Sequence, residues 1–323
     1  MSLESPSGTT RYRFTGRARI EARLLPLLGL LLAVPWAVAT VVMLWSLTAW
    51  AGRWATISVV VVWCLIWCYA LVVELIMPDE LTIWRHVVAF PDTVPCPPER
   101  FEPATLLFIA SWEVMRAAGR PETWLRIVLR TRHPRSAGRS HPRRRVSVPI
   151  SAVNELPPLE LRAVIAHEFG HQLIGGWTVR GLESLCTAPV VTVFGAPATF
   201  LITVLSYRRS PDFVATILLL IMYTVSFAAL VGALLPTIGL HLAQALAIVC
   251  LLQPFPKMWV NWREEFLADQ VAVDLGFGPA LHDYLVTYGR KYGERFSATH
   301  PDVLTRRLKI RYRTRPSPSP AQP

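Results

Sequence analysis

Residues His167-Glu168-Phe169-Gly170-His171 form an H-E-x-x-H run. Residues four apart share one face of an α-helix, so His167 and His171 can turn both imidazoles toward a single zinc ion. Glu168 lies about 100° round the helix from His167, near such a metal without ligating it. There its carboxylate can take a proton from a metal-bound water. A catalytic zinc also needs a third protein ligand and an open position for that water. The best source is the stretch Asn261-Trp262-Arg263-Glu264-Glu265-Phe266-Leu267-Ala268-Asp269. Glu265 and Asp269 are four apart, so one carboxylate can bind the metal while the other accepts the free N–H of a ligand histidine. Glu264 is the rival ligand, and spacing alone does not separate it from Glu265.

These residues need helices to position them. Pro157-Pro158 can open one before the first motif, since proline is tolerated in the first turn, and Gly175-Gly176 can close it. The residues leading into His167 are mostly aliphatic, as in a buried helix. Burying two histidines and a glutamate without a partner is costly, and a bound metal removes that cost. Without one, the motifs read as surface histidines and an acidic helix face paired with Arg263.

H-E-F-G-H followed, after a hydrophobic insert, by E-F-L-A-D resembles the membrane-embedded zinc endopeptidases that include HtpX and the type I CAAX prenyl protease. The resemblance implies His167, His171 and Glu265 as ligands of one Zn2+ per chain, Glu168 as general base and Asp269 as a partner behind the ligands. Val146-Ser147-Val148-Pro149-Ile150 resembles the strand before the family's zinc helix. We expect Val146, Ser147 and Val148 to pair with an extended substrate backbone. Thr299-His300-Pro301, with Arg306 and Arg307 beyond, is similar to the family's C-terminal H-P…R motif, which adds His300 as a substrate-side candidate. In the family an apolar residue directly follows the arginine. Here Arg307 intervenes before Leu308, so which arginine corresponds stays open. The resemblance covers roughly residues 145 to 310.

Composition points to a membrane protein: 52% of residues are apolar and 17% charged. Residues 24–50 are long enough to span, and residues 54–77 form a second apolar stretch with a single acid, Glu74. Ala51-Gly52-Arg53 between them is short enough to demand an antiparallel hairpin, flanked by the interface-favouring Trp50 and Trp54. A cleavable leader ending near Ala37-Val38-Ala39 is the alternative, but the apolar run continues past that site, which suits an anchor. Arg11, Arg13, Arg17, Arg19 and Arg23 place the N-terminus in the cytoplasm by the positive-inside rule. We therefore expect a multi-pass protein of the plasma membrane with its site facing the cytoplasm.

The net charge of +11 raises nucleic acid as a partner. No nucleic-acid fold signature accompanies the clusters at 130–135 and 141–145, so they read as juxtamembrane charge and no nucleic acid is expected. Between the zinc motifs lie apolar runs at 182–207, 213–235 and 237–255. Glu265 must reach the face that carries His167, so the chain crosses an even number of times between them. Two spans are expected, with 237–255 re-entrant or interfacial, because it carries His241 and Gln244. The five cysteines show no C-x-x-C pair, and the proline-serine tail has nothing to bury.

The expected fold is mainly α: a polytopic membrane protein with a zincin-like catalytic domain and a small β element. Its parts are a basic terminus (1–23), a transmembrane hairpin (24–77), a catalytic region (78–181), the hydrophobic insert (182–256), a second catalytic region (257–312) and a disordered tail (313–323). The expected function is hydrolysis of peptide bonds in membrane or membrane-associated polypeptides, with the lipid bilayer as the other partner. The rival readings are a metallopeptidase-like sensor that cleaves a partner regulator, and a non-enzymatic membrane protein. The sequence is silent on oligomeric state.

Overall fold

The computed structural model describes residues 11–76, 80–82, 98–130, 137–141, 144–175, 213–289, 291 and 300–314. The apolar run at 182–207, the loop 208–212, most of the arginine cluster at 130–135 and the tail from 315 lie outside the described residues. What is described is mainly helical, with one small sheet.

Helix α1 (Gly16–Ile76) contains the first two apolar runs, which meet at Gly52. Its φ of 81° and ψ of 168° are open to glycine and break the helix within the expected Ala51-Gly52-Arg53 turn. One face of α1, with Trp36 and Ala39, packs on α5 (Phe213–Ile238) and α6 (Leu240–Leu252) through Leu230, Leu234, Ala243, Ala247 and Cys250. Small residues at this seam let the helix backbones approach closely.

Among the described residues, two helical runs are long and apolar enough to cross a membrane: Gly16–Ser46, and the run that begins at Leu240. The stretch expected at 237–255 divides at Gly239, whose φ is 75°. Its 13-residue α6 is about 20 Å long, short of a hydrocarbon core of about 30 Å. It continues through Gln253 into α7 (Pro254–Ala272), which carries Glu265 and Asp269.

Among the described residues, the part of the chain between α1 and α5 contains a four-stranded sheet in the order β1-β2-β4-β3. The strands are β1 (Glu80–Thr82), β2 (Arg126–Arg130), β3 (Arg139–His141) and β4 (Arg145–Pro149). β2 and β4 run parallel, with Ile127 opposite Val146 and Leu129 opposite Val148. β1 and β3 are antiparallel flanks on β2 and β4. Val146, Ser147 and Val148 are all fully buried, so both faces of β4 are covered. Helices α2 (Pro98–Ala117), α3 (Ile150–Glu155) and α4 (Pro158–Ile174) share this core, which includes Leu107, Met115, Ile127, Val146, Ile165 and Phe169. Phe169 sets its edge against Trp124, ring centroids 5.0 Å apart.

Helix α4 begins and ends where its flanking residues predict. Pro158 stands in its first turn, and Gly175, at φ 68°, closes it. Its tightest neighbour is α7. A Cβ at Gly170 would stand 2.6 Å from the Ala268 Cα, so glycine within the H-E-F-G-H run is what allows α7 to lie this close. After α7 the chain takes a π turn (Val273–Phe277) into α8 (Gly278–Thr287), and α9 (Val303–Thr314) packs beside it.

Candidate metal centre

His167 and His171 stand one turn apart on α4, with their rings edge-to-face at 88°. Their Nε2 atoms are 3.2 Å apart. From α7, Glu265 brings Oε2 to 3.5 Å from His167 Nε2 and Oε1 to 3.3 Å from His171 Nε2. His167 and Glu265 are buried and His171 is nearly so. Glu264, one residue earlier, is not among the converging donors, and neither is the exposed His241 on α6.

Two imidazoles and a carboxylate form a donor set that suits zinc. Bonds of about 2.0–2.1 Å in a tetrahedral arrangement separate neighbouring donors by about 3.3–3.4 Å. The 3.2 Å between the two Nε2 atoms matches that spacing, and with one atom from each residue the three donors lie within 4.8 Å of one another, so the residues present can close on such an ion.

Behind the donors, Asp269 Oδ1 faces His167 Nδ1 at 2.9 Å. This is the contact that fixes a ligand histidine's tautomer and leaves Nε2 free to bind metal. Asp269 is held in turn by Arg306, whose Nε and Nη2 donate to its two oxygens at 2.9 and 2.7 Å. Arg306 Nη1 also lies 3.4 Å from Glu265 Oε2. The Arg306 side chain is 1% exposed, and a charge so enclosed persists only with partners of this quality.

Burial opposes a charge on His167, but contact with Asp269 and then Glu265 outweighs it and pushes its pKa up to about 10. Metal and proton therefore compete for this ring.

Glu168 sits beside the donor group and is buried. Ser140 on β3 donates its hydroxyl to Glu168 Oε2 at 2.7 Å, with the Glu168 backbone oxygen 2.9 Å away. Gly138 passes so close that a Cβ there would meet Glu168 Cγ at 2.8 Å. The edge strand and the residues before it thus hold the carboxylate from one side. At the mouth, His300 Nδ1 is 3.3 Å from Glu265 Oε2, and its side chain is 34% exposed.

One expectation is corrected here. Val146, Ser147 and Val148 do not offer a free strand to substrate. β4 is interior, paired with β2 along its whole length and with β3 at residues 145–147. The sheet edges among the described residues are β1 and β3, and β3 is the one that touches Glu168, through Ser140.

Two residues now have places that spacing could not assign. Arg306 reaches Asp269, whereas the half-buried Arg307 contacts neither Asp269 nor Glu265. A helical period could have found Arg306, since it shares the buried face of α9 with Ile310 while Leu308 is exposed. Ser140 carried no signal: a lone serine in a three-residue strand stands out by nothing.

A comparison with curated proteins finds no match. Peptidase family M48 matches residues 112–314, the span from α2 to α9 that contains the sheet, both metal-motif helices and Arg306. The chain belongs to peptidase family M48 and is a metallopeptidase of the HtpX and CAAX protease type.

Proposed function

We propose that the chain is a zinc-dependent endopeptidase anchored in the membrane, cleaving membrane or membrane-associated polypeptides at the cytoplasmic face. The observation that carries this reading is the convergence of His167, His171 and Glu265, one donor atom from each within 4.8 Å of the others, beside a serine-held Glu168. These three residues would hold the ion, which when bound supplies a water of lowered pKa and polarises the scissile carbonyl. Glu168 takes the proton of the attacking water and passes it to the leaving amine. Ser140 keeps the Glu168 carboxylate aimed, Asp269 keeps Nδ1 of His167 protonated, and Arg306 keeps Asp269 ionised.

An extended substrate would add to the outer edge of β3, which lies against Glu168 through Ser140. Membrane placement draws support from the exposed apolar side chains along α1 and α6, Leu31 and Leu242 among them, which suit hydrocarbon better than water. The arginines before α1 support the cytoplasmic orientation.

Proteolysis of an unfolded membrane protein by the purified chain tests this function. Cleavage should stop on chelation and return with stoichiometric zinc. Cleavage that continues at full rate in the stripped protein would refute the reading.

A further inference from the structure

A cavity of about 570 Å³ opens where the N-terminal end of α1 meets the C-terminal end of α4. That size is within the range of ligand sites, about 300–1,000 Å³. Its polar wall carries Arg13, Arg19, Arg23 and Arg120, and its apolar wall includes Leu27 and Ile174. No carboxylate lines it among the described residues. Glu21, the acid nearest in sequence, is already paired with Arg17 and Arg263 on another side of α1.

Four cations around one cavity repel one another unless an anion joins them. Arg120 sits in a surplus of positive charge: burial first, then the charges of Arg11, of Arg13 on the same cavity wall and of Arg144, holds its pKa below the ordinary arginine value. One of its guanidinium nitrogens, Nε, is buried without a hydrogen-bond partner among the described residues. Its Nη2 meets only the Tyr12 backbone oxygen, at 3.3 Å, and the Trp124 ring lies 5.2 Å from the guanidinium.

The apolar wall does not end at the cavity. Leu27, Leu31, Val34 and Val38 recur at helical spacing and lie 45–64% exposed, a stripe leading from the arginines along the outer face of α1. A cationic pocket continuous with an apolar track has the shape of an amphiphile with an anionic head.

We propose that this cavity binds the phosphodiester headgroup of an anionic phospholipid, with the acyl chains lying along the Leu27–Val38 stripe. Ile174 lies three residues beyond His171 on α4, so the lipid would brace the end of the helix that carries the metal-binding histidines. The inference rests on the membrane placement of α1 proposed above and is independent of peptidase chemistry.

The test is lipid binding by the full chain in mild detergent, read by native mass spectrometry. Short-chain phosphatidylglycerol, short-chain phosphatidylcholine and inorganic phosphate are the probes. The wild type should hold phosphatidylglycerol well above phosphatidylcholine, with millimolar phosphate displacing little of it. Each basic residue near such a surface contributes about fivefold, so Arg19→Gln/Arg23→Gln should weaken phosphatidylglycerol binding by roughly 25-fold. Arg53→Gln, an exposed cation just beyond the break at Gly52, should change nothing. Arg19→Lys/Arg23→Lys should restore most of the binding, which separates lost charge from lost fold.

Equal retention of the two lipids, or an unchanged preference in the glutamine double variant, overturns the proposal. So does phosphate competing as well as lipid, which would make the cavity a free-anion site. A chain found in the membrane fraction yet indifferent to headgroup would remove the lipid site and leave the membrane placement of α1 standing.

Discussion

Arg306 closes on Asp269 with two hydrogen bonds, 2.9 and 2.7 Å long, and the same carboxylate faces Nδ1 of His167. A residue on the last described helix thereby sets the orientation of a histidine on the H-E-x-x-H helix. Arg306→Met should take the guanidinium from the buried Asp269 and leave it only His167 Nδ1, costing about 3–5 kcal/mol. It should also weaken zinc binding by roughly 10–100-fold, the range seen when support behind a ligand is lost. Arg307→Met should leave both unchanged. Thermal unfolding and metal stoichiometry of the two variants decide this, and equal losses from both would remove Arg306 from the network.

Ser140→Ala should lower kcat by roughly 10–100-fold, the equivalent of one hydrogen bond to a charged group, while metal content and KM stay near those of the wild type. Ser140→Thr retains the hydroxyl and should recover most of the rate. A fall in metal content with Ser140→Ala would instead mean that the serine supports the metal-binding helix rather than aiming Glu168.

The metal-free protein should respond to pH in a way the zinc-loaded protein does not. His167 ionises near 6.5 when unfolded and near 10 in the folded, metal-free chain, where Asp269, Glu265 and, behind them, Arg306 surround it. A raised folded pKa contributes stability that is fully present below about pH 6.5 and is lost as pH climbs through about 10. Thermal midpoints of the chelated protein should therefore fall across that window, whereas His167→Asn should flatten the slope. An equally steep slope in His167→Asn would assign the effect to other groups.

Much of the site was legible because a helix repeats. His167 and His171 share a face by their spacing alone, as do Glu265 and Asp269, and the structure brings the two pairs together. Two adjacent acids could not be told apart that way. Glu265 joins the donors because α7 lies against α4 in one rotation, which Gly170 permits by its bare Cα against Ala268. Val146–Val148 read as a strand correctly, but the alternation of a strand says nothing about its neighbours. That β4 is interior depends on where β3 returns, a tertiary fact. Arg306 was half legible, its motif visible and its helical face overlooked.

Zinc content measured together with cleavage, for the wild type, Glu168→Gln, Glu264→Ala and Glu265→Ala, tests the central claim most directly. Glu168→Gln keeps its shape and leaves all three donors in place, so it should bind one zinc per chain and cleave nothing detectable. Glu265→Ala should lose both zinc and cleavage, while Glu264→Ala keeps both. Near-normal turnover by Glu168→Gln, or full zinc occupancy in Glu265→Ala, would contradict the account.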